Sequence, residues 1–105
     1  MDWPNDADGD ALSRLETRGF DFTTPTWVDF NIDFDNWPPP DQAVETIKAH
    51  FPDAVVEIEE DGEEGYFLVR LFEKLNYEFV IRTQGALSEV TAPLGGHCES
   101  WGVLH

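Results

Sequence analysis

Between Trp27 and Phe34 the chain alternates, with Val28, Phe30, Ile32 and Phe34 on one side and Trp27, Asp29, Asn31 and Asp33 on the other. A period of two with a single apolar side predicts a strand that buries one face. Ahead of it, Asp10 stands where it can cap a helix over 11–18, with Leu12 and Leu15 on the apolar side. Gly19 supplies a left-handed stop, and Phe20 can fold back on the two leucines. Pro38-Pro39-Pro40 breaks the chain after the strand, and Asp41 is placed to cap a second helix over 42–51. Val44, Ile47 and Phe51 form its stripe, and Pro52 ends it.

A hairpin is expected next. Residues 55–59 read as a strand, with Val56 and Ile58 on one side, and 66–72 as its return. The turn between them, 60–65, carries an Asp-Gly signal. The return strand is apolar on both faces except at Arg70, the pattern of a central strand covered on both sides. Over 76–94 the pattern is ambiguous. Tyr77, Phe79 and Ile81 alternate as in a strand, whereas Val80, Leu87, Val90 and Leu94 fit a helix. The helix is preferred, because no second hairpin turn precedes it and Pro93 with Gly95-Gly96 makes a good stop. A last strand then runs over 98–104. The order α-β-α-β-β-α-β predicts an α+β fold, a ferredoxin-like sandwich (βαββαβ) with an additional N-terminal helix. Residues 1–9, rich in Asp, are expected to be a flexible acidic N-terminus, and 10–105 one domain.

Charge narrows the function. Against 22 Asp and Glu the chain has 6 Lys and Arg, a formal net charge of −16. Such a surface repels phosphate backbones, and the six cations are scattered, so direct nucleic-acid binding is not expected. A basic segment of another protein is the partner such a surface would steer in. Solubility, or adaptation to high salt, would also account for the acidity. No apolar run approaches the roughly 20 residues of a membrane span. The opening Met1-Asp2-Trp3-Pro4-Asn5-Asp6 has acids where a secretory leader needs a basic start. With Cys98 as the sole cysteine no internal disulfide can form, and a cytoplasmic location is expected.

Chemistry-bearing groupings are few. Asp29 and Asp33 lie about 13 to 14 Å apart on one strand face, too far for a pair of glycosidase carboxylates. With Asn31 they read as a wetted face. The acidic hairpin holds Glu59, Glu60, Glu63 and Glu64 but lacks the ladder of a calcium loop. It reads as a solvated tip or as a dock for Arg and Lys side chains. His97 and Cys98 are sequence neighbours that would point to opposite faces of a strand, and one cysteine cannot start a zinc pattern. Cys98 therefore reads as structural. Trp101 reads equally as an interface residue or as cover for a small core, and Trp37 as cover. No catalytic residue, metal site or cofactor is expected.

Several segments carry a family resemblance. Gly19-Phe20-Asp21, leading through Pro25 into Val28-Asp29-Phe30, the later hairpin, and the closing stretch from Gly95 to Gly102 together resemble the regulator of ribonuclease E activity B (RraB) family. Members typically carry Tyr-Asp-Gly-Trp-Gly where this chain has Cys98-Glu99-Ser100-Trp101-Gly102. The Trp-Gly and an acid are kept; the Tyr and first Gly are replaced. The resemblance implies an acidic ferredoxin-like regulator without chemistry of its own, which inhibits ribonuclease E by binding its regulatory region. It implies Gly95, Gly96, Trp101 and Gly102 as signature positions, and Glu99 and Trp101 as binding or structural residues. Residue pattern and resemblance together make Asp29, Asp33, Glu59, Glu60, Glu63, Glu64, Glu99 and Trp101 the candidate partner-binding set. An immunity-type or nucleic-acid-mimicking inhibitor of another nuclease or toxin is the alternative, and a small hydrolase or metal enzyme on the acidic sheet face a third. Oligomeric state stays open, a dimer included.

Overall fold

The computed structural model describes residues 3–35, 39–61 and 64–103. Helix α1 spans Ala7–Thr17, strand β1 Thr26–Phe34, helix α2 Gln42–His50, strand β2 Val55–Asp61 and strand β3 Glu64–Glu73. Helix α3 spans Tyr77–Thr91, a short 3₁₀ turn follows at Ala92–Leu94, and strand β4 is Gly96–Val103. The four strands form one sheet in the order β2-β3-β1-β4, with every neighbouring pair antiparallel. The architecture is mixed α+β with an N-terminal helix ahead of the strands, as expected. No described helix is long and apolar enough to cross a membrane.

The alternation of β1 sets the core. Val28, Phe30, Ile32 and Phe34 are all buried, alongside Phe67 and Val69 of β3. They meet Leu12 of α1, Ala43 and Ile47 of α2, and Phe79, Val80 and Leu87 of α3 in one apolar cluster. All three helices thus lie on one side of the sheet. Phe30 packs edge-on against Phe79, and Phe34 against Phe67, at centroid distances of 5.9 and 5.2 Å. Each fully buried aromatic contributes about 1.5–3 kcal/mol relative to an exposed one, so these rings carry a large share of the stability.

Several expectations need correction. The first helix starts at Ala7, capped by Asp6 instead of Asp10; the Asp6 carboxylate accepts the Gly9 N–H at 2.7 Å. Asp10 lies inside the first turn, where a carboxylate is still favoured by the helix dipole. Asp41 precedes α2 as expected, but its backbone is already helical and its side chain caps nothing. The Ala43 N–H is met by the Pro40 carbonyl at 3.0 Å instead. The hairpin strands run further than 55–59 and 66–72, pairing out to Asp61 opposite Glu64. Strand β4 begins at Gly96, two residues before the expected start. The largest correction concerns β3. It is central in the sheet, between β2 and β1, yet covered on one face only: Phe72 is 57% and Tyr66 36% exposed.

The ambiguous stretch is helical. Asn76 caps α3 by accepting the Phe79 N–H at 2.8 Å, and the buried set Phe79, Val80, Thr83, Leu87 and Thr91 follows the helical period. Gly95 then ends the 3₁₀ turn at φ 82°, a left-handed conformation that side chains resist. At Gly96 the chain enters β4 so closely that a Cβ would lie 2.8 Å from Phe34 and 2.9 Å from Thr91.

Candidate functional site: the open face of the sheet

With the helices on one side, the polar residues of β1 and their cross-strand partners form a face that no other described element covers. Register fixes its layout. Trp27 lies opposite Phe72, Asp29 opposite Arg70 and Asn31 opposite Leu68. On the β2 side, Val55 pairs with Arg70, Glu57 with Leu68 and Glu59 with Tyr66. On the β4 side, Asp29 pairs with Gly102, Asn31 with Ser100 and Asp33 with His97. Val55, Arg70, Asp29 and Gly102 therefore make one row that crosses all four strands.

One end of the face is aromatic. Trp27 and Phe72, exposed by 47% and 57%, are tilted against each other with centroids 5.3 Å apart. Towards the other end the face turns acidic. Arg70 sits between two carboxylates, its Nε 3.0 Å from Asp29 and its Nη1 3.1 Å from Glu57. The Nε–H is not aimed along a hydrogen bond, so its contact with Asp29 is an ion pair and no more. Pairs this exposed add little stability, but they fix the guanidinium across the strands. His97 Nε2 approaches Asp33 at 3.9 Å. The Tyr66 hydroxyl donates to Glu59, which raises the phenol above its ordinary value, with burial adding to the effect. Asn31 Nδ2 donates to Ser100 Oγ at 3.3 Å.

The face is not flat. One depression of about 320 Å³ is lined by Trp27, Asp29, Val55 and Arg70. A second, of about 290 Å³, lies among Asp29, Asn31, Leu68, Ser100 and Gly102. Asp29 borders both, so they adjoin along the row that crosses the strands. At Gly102 a Cβ would meet nothing within 4 Å, and its absence opens the second depression.

Among the candidate residues, Asp29 and Asp33 lie on this face. Glu59 is exposed on β2 near the hairpin tip. Glu63 and Trp37 lie outside the described residues, as do the side chains of Glu60 and Glu64. Glu99 is the extra residue of a β-bulge: Asn31 pairs with Ser100 and Ile32 with Cys98, leaving Glu99 unopposed and exposed. Trp101 pairs with Phe30 and points to the helical side, where its ring N–H donates to Asp8 Oδ1 of α1 at 2.7 Å. Gly95 and Gly96 shape the approach to β4, and Gly102 borders the open face. Sequence reasoning passed over the apolar members of the face, Phe72, Leu68 and Val55. For Phe72 and Leu68 the signal lies in the two-faced apolarity of β3, a pattern that an exposed binding face and a doubly covered strand share; Val55, at the start of β2, carries no such signal.

Cys98 is the chain's one thiol. Burial pushes the Cys98 thiol up to about 12, with Asp8 adding to the effect, so it stays protonated at neutral pH. Its backbone N–H is held by Ser88 Oγ at 2.9 Å, a structural arrangement. Among the described residues no three His, Cys, Asp or Glu side chains gather as metal ligands would.

No curated protein and no solved structure matches the chain. A family model does: that of the regulator of ribonuclease activity B, RraB, covers residues 5–103, and the chain belongs to that family.

Proposed function

We propose that this member of a family of ribonuclease regulators acts without chemistry of its own, by binding a basic segment of a ribonuclease, with ribonuclease E as the target. The match over residues 5–103 carries this reading. A net charge of −16 supports the choice of a cationic partner, since complementary charge steers encounter and selects against anionic competitors. The mode of action is occupation: a bound regulator blocks or reshapes the nuclease, and no bond is made or broken by the regulator. Neither a cofactor nor a metal is needed for that role.

The test is cleavage of a fluorogenic RNA by purified ribonuclease E, with and without the chain. Dose-dependent inhibition is expected, weakening as NaCl rises from about 50 to about 300 mM because the exposed charges are screened. The chain alone should leave the RNA intact. Unaltered cleavage at a large molar excess of the chain rejects ribonuclease E as the target. Capture of a different nuclease in that case would favour the immunity-type alternative.

A further inference from the structure

We propose that the open sheet face is where the partner docks, and that its occupant is a short extended segment bearing arginine, laid across the strands with a guanidinium over the Trp27–Phe72 pair and its backbone seated in the notch at Gly102. The nature of the partner rests on the reading just given; the face as a whole, the direction of the segment and the roles of Trp27, Phe72 and Gly102 go beyond it.

The face combines two properties. Its aromatic end leaves two large rings, 47% and 57% exposed, side by side on neighbouring strands. Its remainder carries Asp29, Asp33, Glu57 and Glu59 against Arg70 as the described Lys or Arg side chain among them. A second copy of this chain would bring two such acidic faces together, each on a molecule of charge −16, so self-pairing is opposed. A cation is what both ends accept. Guanidinium suits them better than ammonium, because its plane stacks on aromatic rings and its fork matches a carboxylate. Asp33 and Glu59 are available to further cations without dismantling the Arg70 pairs.

Geometry sets the direction and length. The two depressions adjoin at Asp29 and run along the row from Val55 to Gly102, perpendicular to the strands. Crossing from the first strand to the fourth at about 4.8 Å per gap spans about 14 Å, which about four to five extended residues cover. At the β4 end, any side chain at position 102 would fill the place where that segment sits. The glycine there is needed neither for a turn nor for close packing, since open space surrounds its Cβ position.

The experiment has two arms. In the first, the full chain and its Gly102→Thr and Trp27→Ser variants are titrated against immobilised ribonuclease E, with Glu89→Gln on the helical side as control. Matching circular dichroism and melting curves establish that each variant folds. The expected result is a loss of about tenfold or more in affinity for each open-face variant, as for hot-spot truncation, and none for the control. Affinities within twofold of the parent for both open-face variants would overturn the proposal. In the second arm, amide NMR shifts of the parent are followed as a twelve-residue peptide of alternating Arg and Ser is added. Shifts should concentrate on residues 27, 29, 70, 72 and 102. Shifts centred on the helices, or spread evenly, would overturn it. The second arm reads the face even if ribonuclease E fails to bind, so loss of the target and loss of the site are told apart.

Discussion

Asp6 holds two elements with one carboxylate. One oxygen accepts the Gly9 N–H and caps α1, and the other accepts the Tyr77 hydroxyl at the start of α3. The Tyr77 bond, followed by the Gly9 bond, holds the Asp6 carboxyl below its ordinary value of 3.8, while the same contact raises the Tyr77 phenol. A carboxyl lowered by folding contributes stability that is fully present above the ordinary value and lost as pH falls through the lowered one. A side-chain carboxyl NMR titration of the parent should therefore place Asp6 below 3.8, and Tyr77→Phe should move its midpoint upward. Tyr77→Phe should also lose less stability than the parent on acidification, because a carboxyl nearer its ordinary value has a smaller folding-linked contribution to give up. An unmoved midpoint would mean that the hydroxyl does not govern the titration. Asp6 was hard to find from sequence because Asp10 makes an equally good cap, and the apolar stripe of the helix starts only at Leu12. Asp6 is held besides by a contact 71 residues away, which no local pattern encodes.

At the scale of elements, α1 is fastened to the rest through Asp8 as well. Its Oδ1 accepts from Trp101 Nε1 of β4 at 2.7 Å and from Gln84 Nε2 of α3 at 3.3 Å. Trp101→Phe keeps a ring but removes the donor, and should cost about 1.5–3 kcal/mol in urea unfolding, the range for a hydrogen bond to a charged group. In an Asp8→Ala background the same change should cost much less, because the two residues share one interaction. Equal costs in both backgrounds would show that the ring, and not its N–H, fastens the helix. Elements whose pattern depends on one buried face were legible in advance. The period of two in β1 identified all four of its core residues, and Val80, Leu87, Val90 and Leu94, with the stop at Pro93 and Gly95-Gly96, favoured a helix over 76–94, where α3 spans Tyr77–Thr91. Strand β3 was legible as a strand but not in its surroundings: apolar residues on both faces signal burial, and an exposed binding face writes the same letters. Trp101 was balanced between interface and cover for a similar reason, since its side of β4 follows from the bulge at Glu99.

The whole molecule carries its charge as a standing stress. With a formal charge of −16 over 105 residues, like charges repel in the folded state more than in the expanded chain. Salt should relieve this: the melting temperature should rise between about 20 mM and about 0.5 M NaCl, by roughly 4–8 °C for each kcal/mol of repulsion screened. A melting temperature that is flat or falls with salt would mean that local ion pairs, such as those of Arg70, outweigh the global repulsion. The sheet order adds a constraint of timing. Strand β1, at the head of the sheet in sequence, is flanked by β3 and β4, so both of its ladders wait for segments made later. On a ribosome, where the N-terminal part emerges first, β1 would carry a bare edge until residues 96–103 clear the exit tunnel. Asp29 and Asp33, besides whatever they grip in the finished protein, would then act as guards on the nascent strand, keeping it from pairing with a neighbour's.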